Sequence, residues 1–74
     1  MLNVTTHEQL AIARKRRGID QAEAARLVKI GRNDWIAIEL GRTVPAGTVE
    51  GRRIASAIEL EFGIPADAWL AVAA

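Results

Sequence analysis

The side chains best placed to do chemistry in this sequence are cations. All ten Lys and Arg residues lie between Arg14 and Arg53. The same window holds five acids, Asp20, Glu23, Asp34, Glu39 and Glu50, so it carries +5. Residues 54–74 hold only Glu59, Glu61 and Asp67 and carry −3, and residues 1–13 hold only Glu8. A formal total of +1 therefore conceals a basic centre and an acidic end. That division suits a face that meets an anion, and it fits equally a solvated surface of uneven charge. Two basic runs carry the same pair of readings. Arg14 to Arg17 is either a phosphate-binding edge or a solvated helix end, and Arg52 with Arg53 either flanks a bound phosphate or is simply exposed.

Other chemistries find little material. Cysteine is absent and His7 is the lone histidine. Disulfides and thiolate metal sites are thereby excluded, the lone His7 argues against a protein-only zinc site, and no metal or cofactor is expected. Ser56 falls inside a helical pattern, His7 has no acidic partner at useful spacing, and no glycine loop could cradle a phosphate. An enzyme is not expected. His7 reads as an exposed first-turn residue without a role. No apolar run approaches the ~20 residues of a membrane span, and no signal-peptide pattern opens the chain, so the expectation is a soluble, cytoplasmic protein with no membrane partner.

The elements that must position the cations read as helices. Aromatics are few, Trp35, Trp69 and Phe62, while half the residues are hydrophobic and many of those are alanine. That mixture fills spaces between closely packed helices better than it fills a sheet. Thr6-x-x-Gln9 has capping-box spacing, and Thr5-x-x-Glu8 fits as well, so helix 1 starts at one or the other and runs to about Arg17. Leu10 and Ala13 can face the core, and Gly18 supplies the stop. Asp20 caps a second helix from Gln21 to about Val28. Gly31 breaks the pattern before a third, Arg32 to Leu40, which Gly41 ends. Thr48 caps a fourth to Phe62, with Ile54, Ala55, Ile58 and Phe62 on one stripe, and Gly63 stops it. Pro65 opens a short fifth helix to about Val72 that buries Trp69 and Leu70. Leu2 to Val4 is a possible extended arm. The whole chain, 1–74, reads as one all-α domain of five helices with residues 1–5 as an N-terminal arm. Helices 2 and 3, joined by a tight turn at Gly31, have the lengths of a helix-turn-helix.

Residues Gly18-Ile19-Asp20-Gln21-Ala22-Glu23-Ala24-Ala25 through Trp35-Ile36-Ala37-Ile38-Glu39-Leu40-Gly41-Arg42 resemble the phage repressor/Cro type of helix-turn-helix, the Xre family. The likeness extends from Leu10 to Leu70. Gln21 takes the first place of helix 2, Ala25 the small residue at the helix crossing, and Ile30 the apolar place in the turn. Trp35 and Ile38 take the core places of helix 3. The resemblance implies a lambda-repressor-like domain, phage-encoded or bacterial, that binds double-stranded DNA as a homodimer.

By that resemblance helix 3 enters the major groove. Arg32 and Asn33 become base-reading residues: arginine can pair bidentately with guanine, asparagine with adenine. Ala37, one turn on, meets a thymine methyl. Gln21 at the start of helix 2, the Arg42 side chain, and the amides of Thr43 and Val44 hold phosphates. Arg14 and Glu39 occupy the places of a structural ion pair. Some positions depart from the family pattern. Lys29 stands where glycine usually ends helix 2, so a turn without left-handed backbone is expected. Gly31 replaces a hydroxyl cap. Asp34 would repel phosphate unless it accepts from cytosine or caps its own helix. Helix 4 is one turn longer, through Glu59, Leu60 and Glu61.

Ile36 and Leu40, four residues apart, give helix 3 a second apolar face, which is either covered by a neighbouring loop or, with Trp69 and Leu70, the candidate dimer or partner surface. Two functions follow. One is a Cro-like transcriptional regulator reading an operator half-site. The other is a protein-interaction module on the same fold, such as an antitoxin or a phage protein that has exchanged DNA for a protein partner.

Overall fold

A computed structural model of the protein describes residues 4–73. Among the described residues there are five α-helices and no strand: α1 Thr6–Arg16, α2 Gln21–Val28, α3 Arg32–Glu39, α4 Val49–Phe62 and α5 Ala68–Ala73. Of the possible N-terminal arm, residues 1–3 lie outside this range.

Local chemistry explains where each helix begins. Of the two possible caps for α1, Thr5 is the one used. Its hydroxyl accepts from the Glu8 amide at 3.3 Å while the Glu8 carboxylate accepts from the Thr5 amide at 3.3 Å, a closed capping box. Thr6 is not the cap, because Gln9 turns its side-chain amide to the Val4 carbonyl at 3.2 Å. Asp20 accepts from the Glu23 amide at 2.8 Å and Thr48 from the Gly51 amide at 2.9 Å, so α2 and α4 start as their caps require. The fifth helix begins later than Pro65. The amides of Ala68, Trp69 and Leu70 bond three residues back, to Pro65, Ala66 and Asp67, and this tighter turn delays α-geometry to Ala68.

The end of α2 departs from expectation. Lys29 does adopt left-handed backbone, at φ 62°, and it is the sole non-glycine residue to do so among those described. Its amide bonds to the Arg26 carbonyl at 3.1 Å, and the Ile30 amide bonds to Ala25 at 3.0 Å. These are the two bonds of a Schellman closure, which Lys29 completes at a conformational cost of about 1–2 kcal/mol relative to glycine. Arg53, from α4, secures the same end. Its guanidinium donates to the Val28 and Lys29 carbonyls, each at 3.2 Å, and to Glu50 at 2.7 Å. Arg53 is therefore occupied within the fold and is not a free phosphate ligand.

The core lies where α2 meets α3 and α4. Ala24 and Ala25 are buried there, small enough to let α3 approach, with Leu10, Val28, Trp35, Ile38 and Ile58 around them. Trp35 packs against Phe62 with ring centroids 5.4 Å apart. Trp69 is 1% exposed. Of its two expected places it takes the core, and its place on a partner surface is corrected: burying so large a ring is worth more to the core than to a surface, and none of it is left to meet a partner. Leu70, the next residue on the short α5, is 55% exposed rather than buried. The longer α4 is used within the fold. Arg17 donates to the Glu61 carbonyl at 2.7 Å and lies 5.1 Å over the Phe62 ring, binding the end of α1 to the last turn of α4.

Candidate nucleic-acid interface

The helix that would carry recognition is held from one side and one end. Trp35 and Ile38 anchor its inner face at 0% and 3% exposure. At 3.6 residues per turn, Asn33, Ala37 and Leu40 then fall on the side away from the core, with Arg32 and Ile36 beside them. Arg32, Asn33 and Asp34 are exposed, and Ile36 and Ala37 are half-buried. Neither Arg32 nor Asn33 has a side-chain hydrogen bond among the described residues. The Gly31 cap supplies no side chain, and Asp34 makes no cap bond. The first-turn amides of α3 thus remain open to solvent.

The C-terminal end is fastened by a polar cluster centred on Glu39, whose side chain is 6% exposed. Arg14 Nε donates to one carboxylate oxygen at 2.6 Å and its Nη2 to the other at 3.3 Å. A further Arg14 nitrogen donates to the Ile19 carbonyl at 2.9 Å, between α1 and α2. Gln21 Nε2 donates to Glu39 at 3.2 Å, and Trp35 Nε1 donates to it from one turn earlier on the same helix. A carboxylate at a helix C-terminus faces an unfavourable dipole, so these donors matter. Burial pushes the Glu39 carboxyl up, but the bonds from Arg14, Gln21 and Trp35, with the Arg14 charge, outweigh it and hold the group below its ordinary value.

His7 is not the exposed, idle residue expected. Its Nδ1 donates to the Glu39 carbonyl at 2.9 Å, capping α3 from the first turn of α1. The ring sits against Gly41, where a Cβ would come within 2.8 Å of His7 Nε2. Gly41 thus has two reasons to be glycine: it turns left-handed at φ 76°, and it leaves room for the imidazole. Its amide bonds to Ile38 at 3.1 Å and that of Arg42 to Ala37 at 2.9 Å, again a Schellman closure.

That closure bears on the expected phosphate contacts. The Thr43 amide donates back to the Ala37 carbonyl at 3.4 Å, a long bond that nonetheless turns it inward, so Thr43 does not offer the free amide expected of it. Val44 is half-buried, with its side chain packed on the core, and its amide has no acceptor among the described residues. The Arg42 side chain is exposed. Gln21 commits one N–H to Glu39 and keeps the other.

Four of the ten cations are consumed internally. Arg14, Arg17, Arg26 and Arg53 pair with Glu39, Glu61, Glu23 and Glu50. Lys15, Arg16, Lys29, Arg32, Arg42 and Arg52 have no carboxylate partner among the described residues, and all six are exposed. Lys29, Arg32 and Arg42 stand before, at the start of and after α3.

The Gln21 contact and the His7 cap escaped sequence reasoning. Trp35 and Glu39, four residues apart, carried a readable signal for the indole bond. His7 carried none, since its partner lies 32 residues away. Among the described residues no helix is long and apolar enough to cross a membrane, and no group of His, Cys, Asp or Glu is placed to hold a metal.

No curated protein and no solved structure matches the sequence. One family model does match, described as a helix-turn-helix domain, and it covers residues 8–74. With α2, the Lys29–Gly31 turn and α3 in the arrangement above, the chain belongs to the helix-turn-helix domain family.

Proposed function

We propose that the protein is a sequence-specific DNA-binding regulator of the Cro/repressor kind, laying α3 in the major groove of an operator half-site. The observation that carries this reading is the contrast along α3: Arg32 and Asn33 are exposed and uncommitted, on a helix whose other end is locked by Glu39 and His7. Arg32 would pair with guanine and Asn33 with adenine, each pair worth roughly 1–3 kcal/mol of discrimination. Ala37 would lie over a thymine methyl. Gln21, through its remaining N–H, the Arg42 side chain and the Val44 amide would hold phosphates and set the register. A homodimer on a palindromic site, with half-sites about one helical turn apart, completes the proposal.

Ile36 and Leu40 favour a second reading, a protein-interaction module such as an antitoxin. Leu40 is 55% exposed and Ile36, one turn before it, is half-buried. Selection of bound sequences from random duplex DNA, followed by salt titration of the winner, separates the two. A palindromic motif with a steep salt dependence is the expected result, and no enrichment at any salt concentration would overturn the DNA reading.

A further inference from the structure

Lys29 holds a strained backbone, yet its side chain does nothing inside the fold. It is the sole non-glycine residue with left-handed backbone among those described, at φ 62°. Glycine adopts that conformation freely, so the lysine side chain is carried against a conformational penalty. Outliers of this kind persist where their surroundings over-determine them, and they gather at binding sites. The surroundings here are of that sort. The Lys29 amide closes on the Arg26 carbonyl at 3.1 Å. Arg53 clamps the Val28 and Lys29 carbonyls from α4, and Glu50 holds its guanidinium in turn. What this fixed turn presents to solvent is an ammonium. Lys29 is exposed and makes no side-chain hydrogen bond or ion pair among the described residues. Asp34 and Glu50 border the same cleft, but neither takes the charge: Glu50 pairs with Arg53, and Asp34 forms no ion pair.

The position of Lys29 suits a second point of attachment for α2. Gln21 begins that helix and Lys29 follows its last residue. The helix has eight residues, so at 1.5 Å each its two ends stand about 12 Å apart, close to the width of the major groove. Lys29 also lies three residues before Arg32, beside the open end of α3. A flexible stem ending in a compact, strongly hydrated charge is a ligand for phosphate, and it lacks the planar fork with which arginine reads guanine.

We infer that the Lys29 ammonium holds a backbone phosphate of the half-site, so that α2 is fastened to DNA at both ends. This contact rests on the DNA-binding reading above.

The test follows affinity for the selected duplex against salt for the unaltered protein, Lys29→Gly and Lys29→Arg. Glycine relieves the strained turn, so weaker binding by that variant does not come from unfolding. One lost phosphate contact lowers the salt slope by about 0.9, so between about 50 and 200 mM salt the unaltered protein should lose about threefold more affinity than Lys29→Gly. Lys29→Arg should keep the slope of the unaltered protein. The weakening by Lys29→Gly should be equal across single-base variants of the duplex. Each phosphate of that duplex is then replaced singly by a neutral methylphosphonate. In each half-site one replacement should weaken the unaltered protein and leave Lys29→Gly indifferent. The contact is overturned if Lys29→Gly keeps the full salt slope, if its loss falls on one base pair, or if no phosphate shows that difference. Failure to select any duplex would instead overturn the DNA-binding reading, and this contact with it.

Discussion

The two ends of α3 are built in opposite ways. At the C-terminal end Glu39 accepts from three side chains on three helices, His7 caps the Glu39 carbonyl, and Gly41 closes the last turn. At the N-terminal end Gly31 offers no side chain, and Arg32, Asn33 and Asp34 stand exposed. Polar groups at one end are spent on fixing the helix, while Arg32 and Asn33 at the other make no side-chain hydrogen bond among the described residues. A recognition helix needs both, because a base-reading side chain discriminates only when its backbone is held in register.

Breaking the fixed end should have the largest effect. Arg14→Ala strands the Glu39 carboxylate in a largely buried site, a change that costs about 3–5 kcal/mol in comparable pairs. So small a domain has little more than that in total, and urea denaturation should find the variant largely unfolded. Acid attacks the same cluster. Because the folded Glu39 carboxyl lies below its ordinary value, its contribution is complete above the usual carboxylate range and is lost as pH falls through the lower folded value. Melting temperature should therefore drop on the acid side, and Glu39→Gln should make that decline shallower. It will not abolish it, since Thr5 also holds Glu8 low by hydrogen bonding.

His7→Ala is a smaller perturbation of the same end. It removes one capping bond and should cost about 1 kcal/mol in urea midpoint measurements. An unchanged midpoint would mean that the imidazole contributes nothing to holding α3. Lys29→Gly reverses the sign and acts just ahead of the open end. Relief of left-handed strain, partly offset by the greater freedom of unfolded glycine, should stabilise the fold by about 0.5–1 kcal/mol. Loss of the exposed ammonium should at the same time weaken DNA binding if Lys29 faces phosphate.

The two ends also differed in how readily the sequence disclosed them. Helix starts were legible because Asp20 and Thr48 act on amides three residues away, and such local chemistry is written in local spacing. The stop of helix 3 at Gly41 was visible for the same reason, though not the pair of bonds that makes it. The end of α2 was not, because Lys29 holds a conformation its side chain disfavours while Arg53 binds the carbonyls there from 24 and 25 residues away. His7 to Glu39, Gln21 to Glu39 and Arg17 to Glu61 likewise join residues whose proximity exists only after the helices pack. Charge counting met the same barrier. In the basic run Arg14 to Arg17 the resemblance set Arg14 apart as the partner of Glu39, but nothing local showed that Arg17 also has an inward partner while Lys15 and Arg16 have none among the described residues. What the exposed residues of α3 touch is not written in the fold at all, since a reading surface is defined by its partner.

In the proposed complex the open end of α3 reads bases while the segment beyond its closed end only holds the backbone. The most direct measurement compares Arg32→Ala with Arg42→Ala across single-base variants of the selected operator, at several salt concentrations. Arg32→Ala should relax preference at one base pair, by roughly 1–3 kcal/mol. Arg42→Ala should weaken binding to all variants alike and lower the salt slope by about one. Uniform weakening by both substitutions would contradict this division of roles, leaving Arg32 as a phosphate contact and the open end of α3 without a role in sequence discrimination.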